Sequence, residues 1–141
     1  MATESCLAIS GYRSARLLRA IVVDDSPEIL RTVTELLELD GNIEVIATAT
    51  NGVEAISAAR VYDPDLIVMD VNMPHMNGLT AALHIKDMGG DAKVLMMSSE
   101  DGPDMKVAAL DAGADGFVGK SSLILQCRTQ IARLFQSCGG D

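Results

Sequence analysis

The sequence is poor in aromatic residues and in positive charge. Its 141 residues include no tryptophan, two tyrosines and two phenylalanines, and the formal net charge is −9 at pH 7. Surfaces that bind nucleic acids need a basic stripe and often aromatic rings on which bases stack. We therefore expect no nucleic-acid partner, and the composition favours proteins or cations as ligands.

Cysteine and long apolar runs are also scarce. Cys6, Cys127 and Cys138 have no paired short spacing, which predicts reduced thiols in a cytoplasmic protein. No apolar run approaches the roughly 20 residues that span a bilayer, so we expect no membrane insertion. The length predicts a single domain over residues 18–136, with a flexible N-terminal extension over 1–17 and a loose tail over 137–141.

What the sequence does contain is a strict alternation of apolar strands and amphipathic helices. Strands are predicted over residues 17–23, 43–48, 65–70, 93–97 and 116–120, and each is followed by a helix. The predicted inward positions of the second and third helices are Val53, Ile56 and Ala59, and Leu79, Ala82 and Leu83. The alternation predicts an α/β fold, in which right-handed crossovers join a parallel five-stranded sheet covered by helices on both faces.

Polar residues stand where the predicted strands end. Asp24 and Asp25 follow the first strand, Asp70 ends the third, Ser98 follows the fourth and Lys120 ends the fifth. Because the carboxyl ends of parallel strands meet at one edge, these side chains should rim a single crevice. Carboxylates about 5 Å apart repel by roughly 3 kcal/mol at an effective dielectric near 20. Either a carboxylate takes up a proton, or a hard cation such as Mg²⁺ binds among them.

A phosphate in this crevice would give the remaining groups a role. Asp70 is suited to attack a phosphoryl group and form an aspartyl phosphate, since an ionised carboxylate needs no general base. Lys120 and the metal would spread the charge of the transferring group, and the Ser98 hydroxyl would donate a hydrogen bond to it. For Asp70 taken alone, the simpler interpretation is an aspartate that caps the turn after its strand.

Four stretches of the chain resemble the receiver domain of two-component response regulators. They are residues 22–27, residues 70–74 with 77–78, residues 97–99 and residues 113–120, and they lie in the order and at the strand ends typical of that family. The resemblance extends over about residues 18–136. It implies the (βα)5 fold with the flavodoxin-like strand order 2-1-3-4-5.

The same resemblance implies a role for each residue of the crevice. Asp70 would be the phosphoacceptor and Lys120 the lysine that pairs with the phosphate, while Ser98 and Phe117 match the two switch positions. Mg²⁺ would be held by Asp25, by Asp70 and by the backbone carbonyl of Asn72, with Asp24 acting through water. Asn72 and Glu100 match positions that tune the loss of the phosphoryl group, and their polar side chains favour a short-lived signal.

The resemblance also implies partners. The phosphoryl donor would be a histidine kinase or a phosphotransfer protein. The downstream target would be a protein that binds the face made by the fourth helix, the fifth strand and the fifth helix, and the receiver would be a monomer or a phosphorylation-dependent dimer. Because the sequence ends soon after the last predicted helix, we expect a non-enzymatic, single-domain regulator.

Three other functions stay open at this point. A pseudo-receiver would keep the fold as a docking module without phosphorylation. A phosphohydrolase with an aspartate nucleophile would carry its acid–base aspartate where this chain has Asn72, and a flavodoxin-like carrier would have its phosphate repelled by Asp24 and Asp25. One departure from many receivers concerns the backbone, since Ser121 instead of proline follows Lys120 and predicts a trans peptide bond.

Overall fold

The computed structural model describes residues 17–135. Predictions for residues 1–16 and 136–141, which include the extension, the tail, Cys6 and Cys138, lie outside that range. The strands are β1 (Leu18–Val23), β2 (Ile43–Ala49), β3 (Leu66–Asp70), β4 (Lys93–Ser98) and β5 (Gly116–Gly119). The helices are α1 (Pro27–Glu38), α2 (Gly52–Tyr62), α3 (Gly78–Asp87), α4 (Pro103–Asp111) and α5 (Leu123–Phe135), and a 3-10 turn, Lys120–Ser122, precedes α5.

The five strands form one parallel sheet in the order β2-β1-β3-β4-β5. This arrangement confirms the predicted fold class and strand order. The order reverses between β1 and β3, and such a switch point in a parallel sheet opens a crevice beyond the carboxyl ends of the strands.

Side chains that cap the helices fix where the chain leaves that edge of the sheet. The side chain of Ser26 accepts a hydrogen bond from the N–H of Ile29, and Pro27 follows it in the first turn of α1. Asn51 and Asn77 cap α2 and α3 in the same way, with accepted bonds of 2.9 Å. Helices α1 and α2 therefore start after turns of three and two residues, whereas α3 follows a seven-residue loop.

Two apolar layers hold the helices on the sheet. One layer packs α2, α3 and α4 against one face, and the other packs α1 and α5 against the opposite face. The residues of β3 from Leu66 to Met69 have no exposed surface at all. Burial of each side chain of this size contributes about 1.5–3 kcal/mol, so the position of the β3 end is strongly determined.

The prediction of an inward position was wrong for two residues, Val53 and Leu83. Val53 and Leu83 are 56% and 50% exposed, whereas Ala55, Ala81 and Ile85 are buried. Small residues at the inward positions let α2 and α3 approach the sheet closely, and the bulkier Val53 and Leu83 lie on the flanks. The predicted trans bond is confirmed, because no peptide bond between residues 17 and 135 is cis. Over the same residues, no helix is long and apolar enough to cross a membrane.

Candidate functional site

Asp24 lies at the carboxyl end of β1 and is completely buried. Its backbone N–H donates to the carbonyl of Ala49 at 3.0 Å, which continues the hydrogen bonding between β1 and β2 by one residue. Its Oδ1 accepts the N–H of Ser26 at 2.9 Å. Asp25 comes after this last ladder bond and is exposed. The two adjacent carboxylates therefore have opposite environments, which residue type alone could not reveal.

Asp70 ends β3 and is 3% exposed. Its Cα is paired with Met97 of β4, and the next residue, Val71, donates its N–H to the carbonyl of Met97 at 2.9 Å. The backbone N–H of Asn72 donates to the Asp70 carboxylate. The carboxylate is thus delivered by a rigid strand and is bonded to the loop that follows.

Lys120 reaches back from the end of β5 and bridges the two buried carboxylates. Its Nζ lies 2.8 Å from Oδ2 of Asp24 and 3.3 Å from Oδ1 of Asp70. About one-fifth of its side chain is exposed. Burial alone would lower the pKa of Lys120, but the ion pairs with Asp24 and Asp70 outweigh it, and the pKa is raised above 10.5. The ammonium therefore stays charged at neutral pH.

The acidic residues of the rim form one cluster. One carboxylate oxygen from each of Asp24, Asp25 and Asp70 lies within 4.8 Å of the others. With Lys120 as the neighbouring cation, three negative groups face one positive group. Burial, and secondly the charge of Asp24, raises the pKa of Asp70, although Lys120 and the N–H of Asn72 act in the opposite direction. The site therefore has an uncompensated negative charge.

This donor set fits a hard divalent cation. Oδ2 of Asp24 is buried, and it forms an ion pair with the ammonium of Lys120 at 2.8 Å. Mg²⁺ binds oxygen at 2.0–2.1 Å, so its direct ligands can be about 4.2 Å apart at most. Separations of up to 4.8 Å suit an ion that contacts some carboxylates directly and reaches another through water.

Ser98 stands on the same rim. It is fully buried at the end of β4, paired with Gly119 and one residue beyond the pair of Met97 with Asp70. Its Oγ accepts a hydrogen bond from the N–H of Glu100 at 3.0 Å. The sequence analysis did not predict this contact, although serine side chains often bond to a backbone N–H two residues further along the chain. This bond occupies a lone pair of the hydroxyl and leaves its proton for another acceptor.

The remaining predicted residues occupy different positions. Asn72 is exposed in the loop beside Asp70. Phe117 is not on the rim, because it pairs with Met96 inside the sheet and is 8% exposed in the apolar layer that contains Ala109 and Ala112 of α4. The structure therefore brings together Asp24, Asp25, Asp70 and Lys120, with Ser98 adjacent by strand register.

Comparison with known proteins identifies the family. The family model of the response regulator receiver domain matches residues 20–131. This chain belongs to the response regulator receiver family. It is 35% identical over 119 residues to the nitrate/nitrite response regulator protein homolog of Haemophilus influenzae, over 84% of this chain and 57% of that protein. The resemblance identified from the sequence is thereby confirmed.

Two further relatives agree. A protein-glutamate methylesterase/protein-glutamine glutaminase of Pseudomonas syringae pv. syringae is 47% identical over 106 residues, which are 74% of this receiver and 27% of that protein. The response regulator domain of Thermotoga maritima CheB is 28% identical with a TM-score of 0.77, over 89% of this chain and 99% of that domain. The receiver thus corresponds to about half, or about a quarter, of the curated relatives it matches.

Membership assigns a general role to the acidic cluster. Receiver domains act in two-component signalling, where phosphorylation is the switch, and they bind Mg²⁺ at a cluster of aspartates. They interact with histidine kinases or phosphotransfer proteins. In this receiver, the aspartates that lie together are Asp24, Asp25 and Asp70.

Proposed function

We propose that this receiver is a phosphorylation-activated switch in which Asp70 accepts a phosphoryl group from a histidine kinase or a phosphotransfer protein. The observation that carries the proposal is the environment of the Asp70 carboxylate. It is buried at a strand end, 3.3 Å from the ammonium of Lys120 and within 4.8 Å of two further carboxylates. Asp25 is exposed and Asp24 has no exposed surface, whereas Asp70 is held at a strand end, keeps 3% exposure and is followed directly by the loop.

The side chains that the transfer uses are already in place. A carboxylate oxygen of Asp70 forms a bond to phosphorus, while the bond from phosphorus to the donor nitrogen breaks and its electron pair leaves with that nitrogen. Lys120 neutralises charge on the transferring group, and the free proton of the Ser98 hydroxyl donates to one of its oxygens. Asn72 and Glu100 border this position and favour a short-lived aspartyl phosphate.

Mg²⁺ would be held by Asp25, by Asp70 and by the backbone carbonyl of Asn72, with Asp24 bound through water. When bound, the ion supplies positive charge to the phosphoryl oxygens and offsets the repulsion among the aspartates. The cluster of three carboxylates that face a single ammonium supports this assignment.

The output is a protein contact on the face made by α4, β5 and α5. Ser98 ends β4, and Phe117 packs in the apolar layer with residues of α4, so we propose that both couple phosphorylation to this face. Support comes from exposed apolar side chains on these two helices, which include Val107, Leu110, Ile124 and Leu125. We propose that the receiver acts in the cytoplasm without enzymatic activity of its own, as a monomer or a phosphorylation-dependent dimer.

Labelling with a small-molecule phosphodonor tests the proposal. Wild-type protein incubated with acetyl phosphate and Mg²⁺ should gain the mass of one phosphoryl group, in an acid-stable and base-labile linkage. Asp70→Asn should abolish the gain. Asp91→Asn is the matched control, because Asp91 is exposed in the α3–β4 loop at the opposite edge of the sheet, and it should label like the wild type.

The outcomes separate the proposed switch from a phosphohydrolase and from a docking module. Labelling that survives Asp70→Asn would overturn the assignment of Asp70. Continuous release of phosphate from diverse monoesters would indicate a phosphohydrolase. Protein that binds Mg²⁺ but never labels, with any phosphodonor or with a histidine kinase, would indicate a docking module.

A further inference from the structure

Backbone hydrogen bonds link the two ends of the loop between β3 and α3, residues 71–77, and residues inside it. The N–H of Gly78 donates to the carbonyl of Val71 at 2.7 Å, and the N–H of Met76 donates to the carbonyl of Pro74 at 2.8 Å. Between them His75 has a φ of 70°, in the left-handed region that residues other than glycine rarely adopt. These hydrogen bonds constrain the path of the loop, so a contact at Met76 bears on its neighbours as well.

The first residue of α2 lies against this loop. A Cβ placed on Gly52 would be 2.7 Å from the carbonyl oxygen of Met76 and 2.9 Å from both its Cβ and its Cγ. Real Cβ atoms essentially never approach within 3.0 Å. Gly52 is buried, and its φ does not lie in the left-handed region. The glycine is therefore needed because of the closeness of the loop, and backbone conformation does not require it.

We propose that Gly52 and Met76 are positioning residues for the phosphorylation site, although α2 contributes no atom to the acidic cluster. The contact with α2 determines how far the loop lies from the carboxyl edge of the sheet. Asn72 is part of this loop. The backbone of Asn72 donates to the Asp70 carboxylate and supplies the proposed carbonyl ligand of Mg²⁺. This inference rests on the proposed function and adds a second element that determines the geometry of the site.

The contact cannot be relieved by rotation of a side chain. The nearest atom to the added Cβ is the backbone oxygen of Met76, which moves only if the loop moves. Gly78 fixes the other end, since a Cβ there would lie within 3.0 Å of the backbone of Asp70 itself. A shift imposed at Gly52 is therefore transmitted along residues 71–77 towards Asn72.

Gly52→Ala tests the inference, with Gly102→Ala as the matched control. Gly102 precedes α4 with a φ of −71°, and a Cβ there would have no heavy atom within 4 Å. Mg²⁺ affinity is measured by isothermal titration calorimetry, because the sequence has no tryptophan for a fluorescence signal. We expect Gly52→Ala to bind Mg²⁺ roughly 10-fold more weakly, as residues that support metal ligands do, and Gly102→Ala to match the wild type.

The phosphorylation assay separates positioning from a general loss of structure. In Gly52→Ala the Mg²⁺ concentration for half-maximal labelling should rise by about the same roughly 10-fold, and the labelling rate should recover at saturating Mg²⁺. If Gly52→Ala does not fold, Met76→Ala keeps Gly52 but removes the side chain by which the loop packs against the apolar layer of α2 and α3, and it should weaken Mg²⁺ binding in the same direction. Wild-type affinity in a folded Gly52→Ala or Met76→Ala protein would overturn the inference, whereas failure of the wild type to label would overturn the proposed function instead.

Discussion

Removal of the negative charge of Asp70 should make the protein more stable at neutral pH. Asp70→Asn keeps the shape of the side chain and an oxygen that can accept the N–H of Asn72. It leaves Lys120 paired with Asp24 at 2.8 Å. The predicted rise in the free energy of unfolding follows from two quantities. One is the net interaction of the Asp70 carboxylate with its charged neighbours, and the other is the cost of burying its charge.

The magnitude can be worked from the distances. At an effective dielectric near 20, Lys120 at 3.3 Å attracts Asp70 by about 5 kcal/mol, and Asp24 at up to 4.8 Å repels it by about 3.5 kcal/mol. Asp25 is exposed and better screened, so it adds between about 1 and 3.5 kcal/mol of repulsion. The attraction to Lys120 and the repulsion from Asp24 and Asp25 cancel to within about 2 kcal/mol. The cost of burying the charged carboxylate of Asp70 is therefore not compensated. We expect Asp70→Asn to raise the free energy of unfolding by about 1–3 kcal/mol.

The gain should depend on pH with a definite sign. Since the pKa of Asp70 is raised above 3.8 in the folded protein, the folded state binds the proton more tightly than the unfolded chain. The stability of the wild type therefore falls as the pH rises from the unfolded pKa through the raised folded pKa. Above the raised folded pKa the full cost is present, and below the unfolded pKa both proteins carry a neutral side chain and the difference disappears.

Urea unfolding of the wild type and Asp70→Asn at several pH values, without divalent cations, measures this difference. Asp91→Asn again serves as the control, because it removes an equal charge from an exposed loop and should change the unfolding free energy by about 0.5 kcal/mol or less. Added Mg²⁺ should stabilise the wild type and narrow the gap to Asp70→Asn. An Asp70→Asn protein less stable than the wild type at pH 7, or a gap that widens on acidification, would refute the reasoning.

Two further predictions concern the acidic site and the buried face of α3, which contains Ile85 and not Leu83. Lys120→Met should lower the free energy of unfolding at pH 7 by about 3–5 kcal/mol, because it leaves Asp24 and Asp70 buried without a cation. Urea titrations should show a smaller loss at acidic pH, where Asp70, whose pKa is raised by its burial, takes up a proton. In α3, Ile85→Ala should cost about 2–4 kcal/mol and Leu83→Ala about 0.5 kcal/mol in urea unfolding. Equal costs would contradict the observed exposures of 4% for Ile85 and 50% for Leu83.

The sequence predicted the fold because its strongest signals are long-range and redundant. Each strand is an apolar run between turn residues, and five strand–helix units in alternation admit few topologies. The strand ends were placed to within one residue, and this precision was enough to bring Asp24, Asp70 and Lys120 to one edge. The helix faces were less certain, because a stripe of alanines such as Ala81 and Ala82 gives a weak periodic signal beside the larger but exposed Leu83.

The burial of Asp24 and the exposure of Asp25 could not be predicted, because this difference depends on a single hydrogen bond. The N–H of Asp24 still bonds to Ala49 of β2, so the extended strand geometry continues for one more residue and directs this side chain inward. Asp25 lies beyond the last bond and faces solvent. Two identical residues carry no local signal of where a ladder ends, and element boundaries are the least reliable part of any sequence interpretation.

The acidic cluster also shows why a fold can hold groups together that repel one another. Interactions among Asp24, Asp25 and Asp70 involve a few kcal/mol each, whereas the fully buried apolar residues of β1, β3 and β4 contribute about 1.5–3 kcal/mol apiece and are far more numerous. The sheet therefore fixes the strand ends whatever charges they carry. The unfavourable interaction remains in the folded protein, localised at one edge, where a cation or a proton can relieve it. A site of this kind is recognisable because it breaks the local rules that the surrounding sequence obeys.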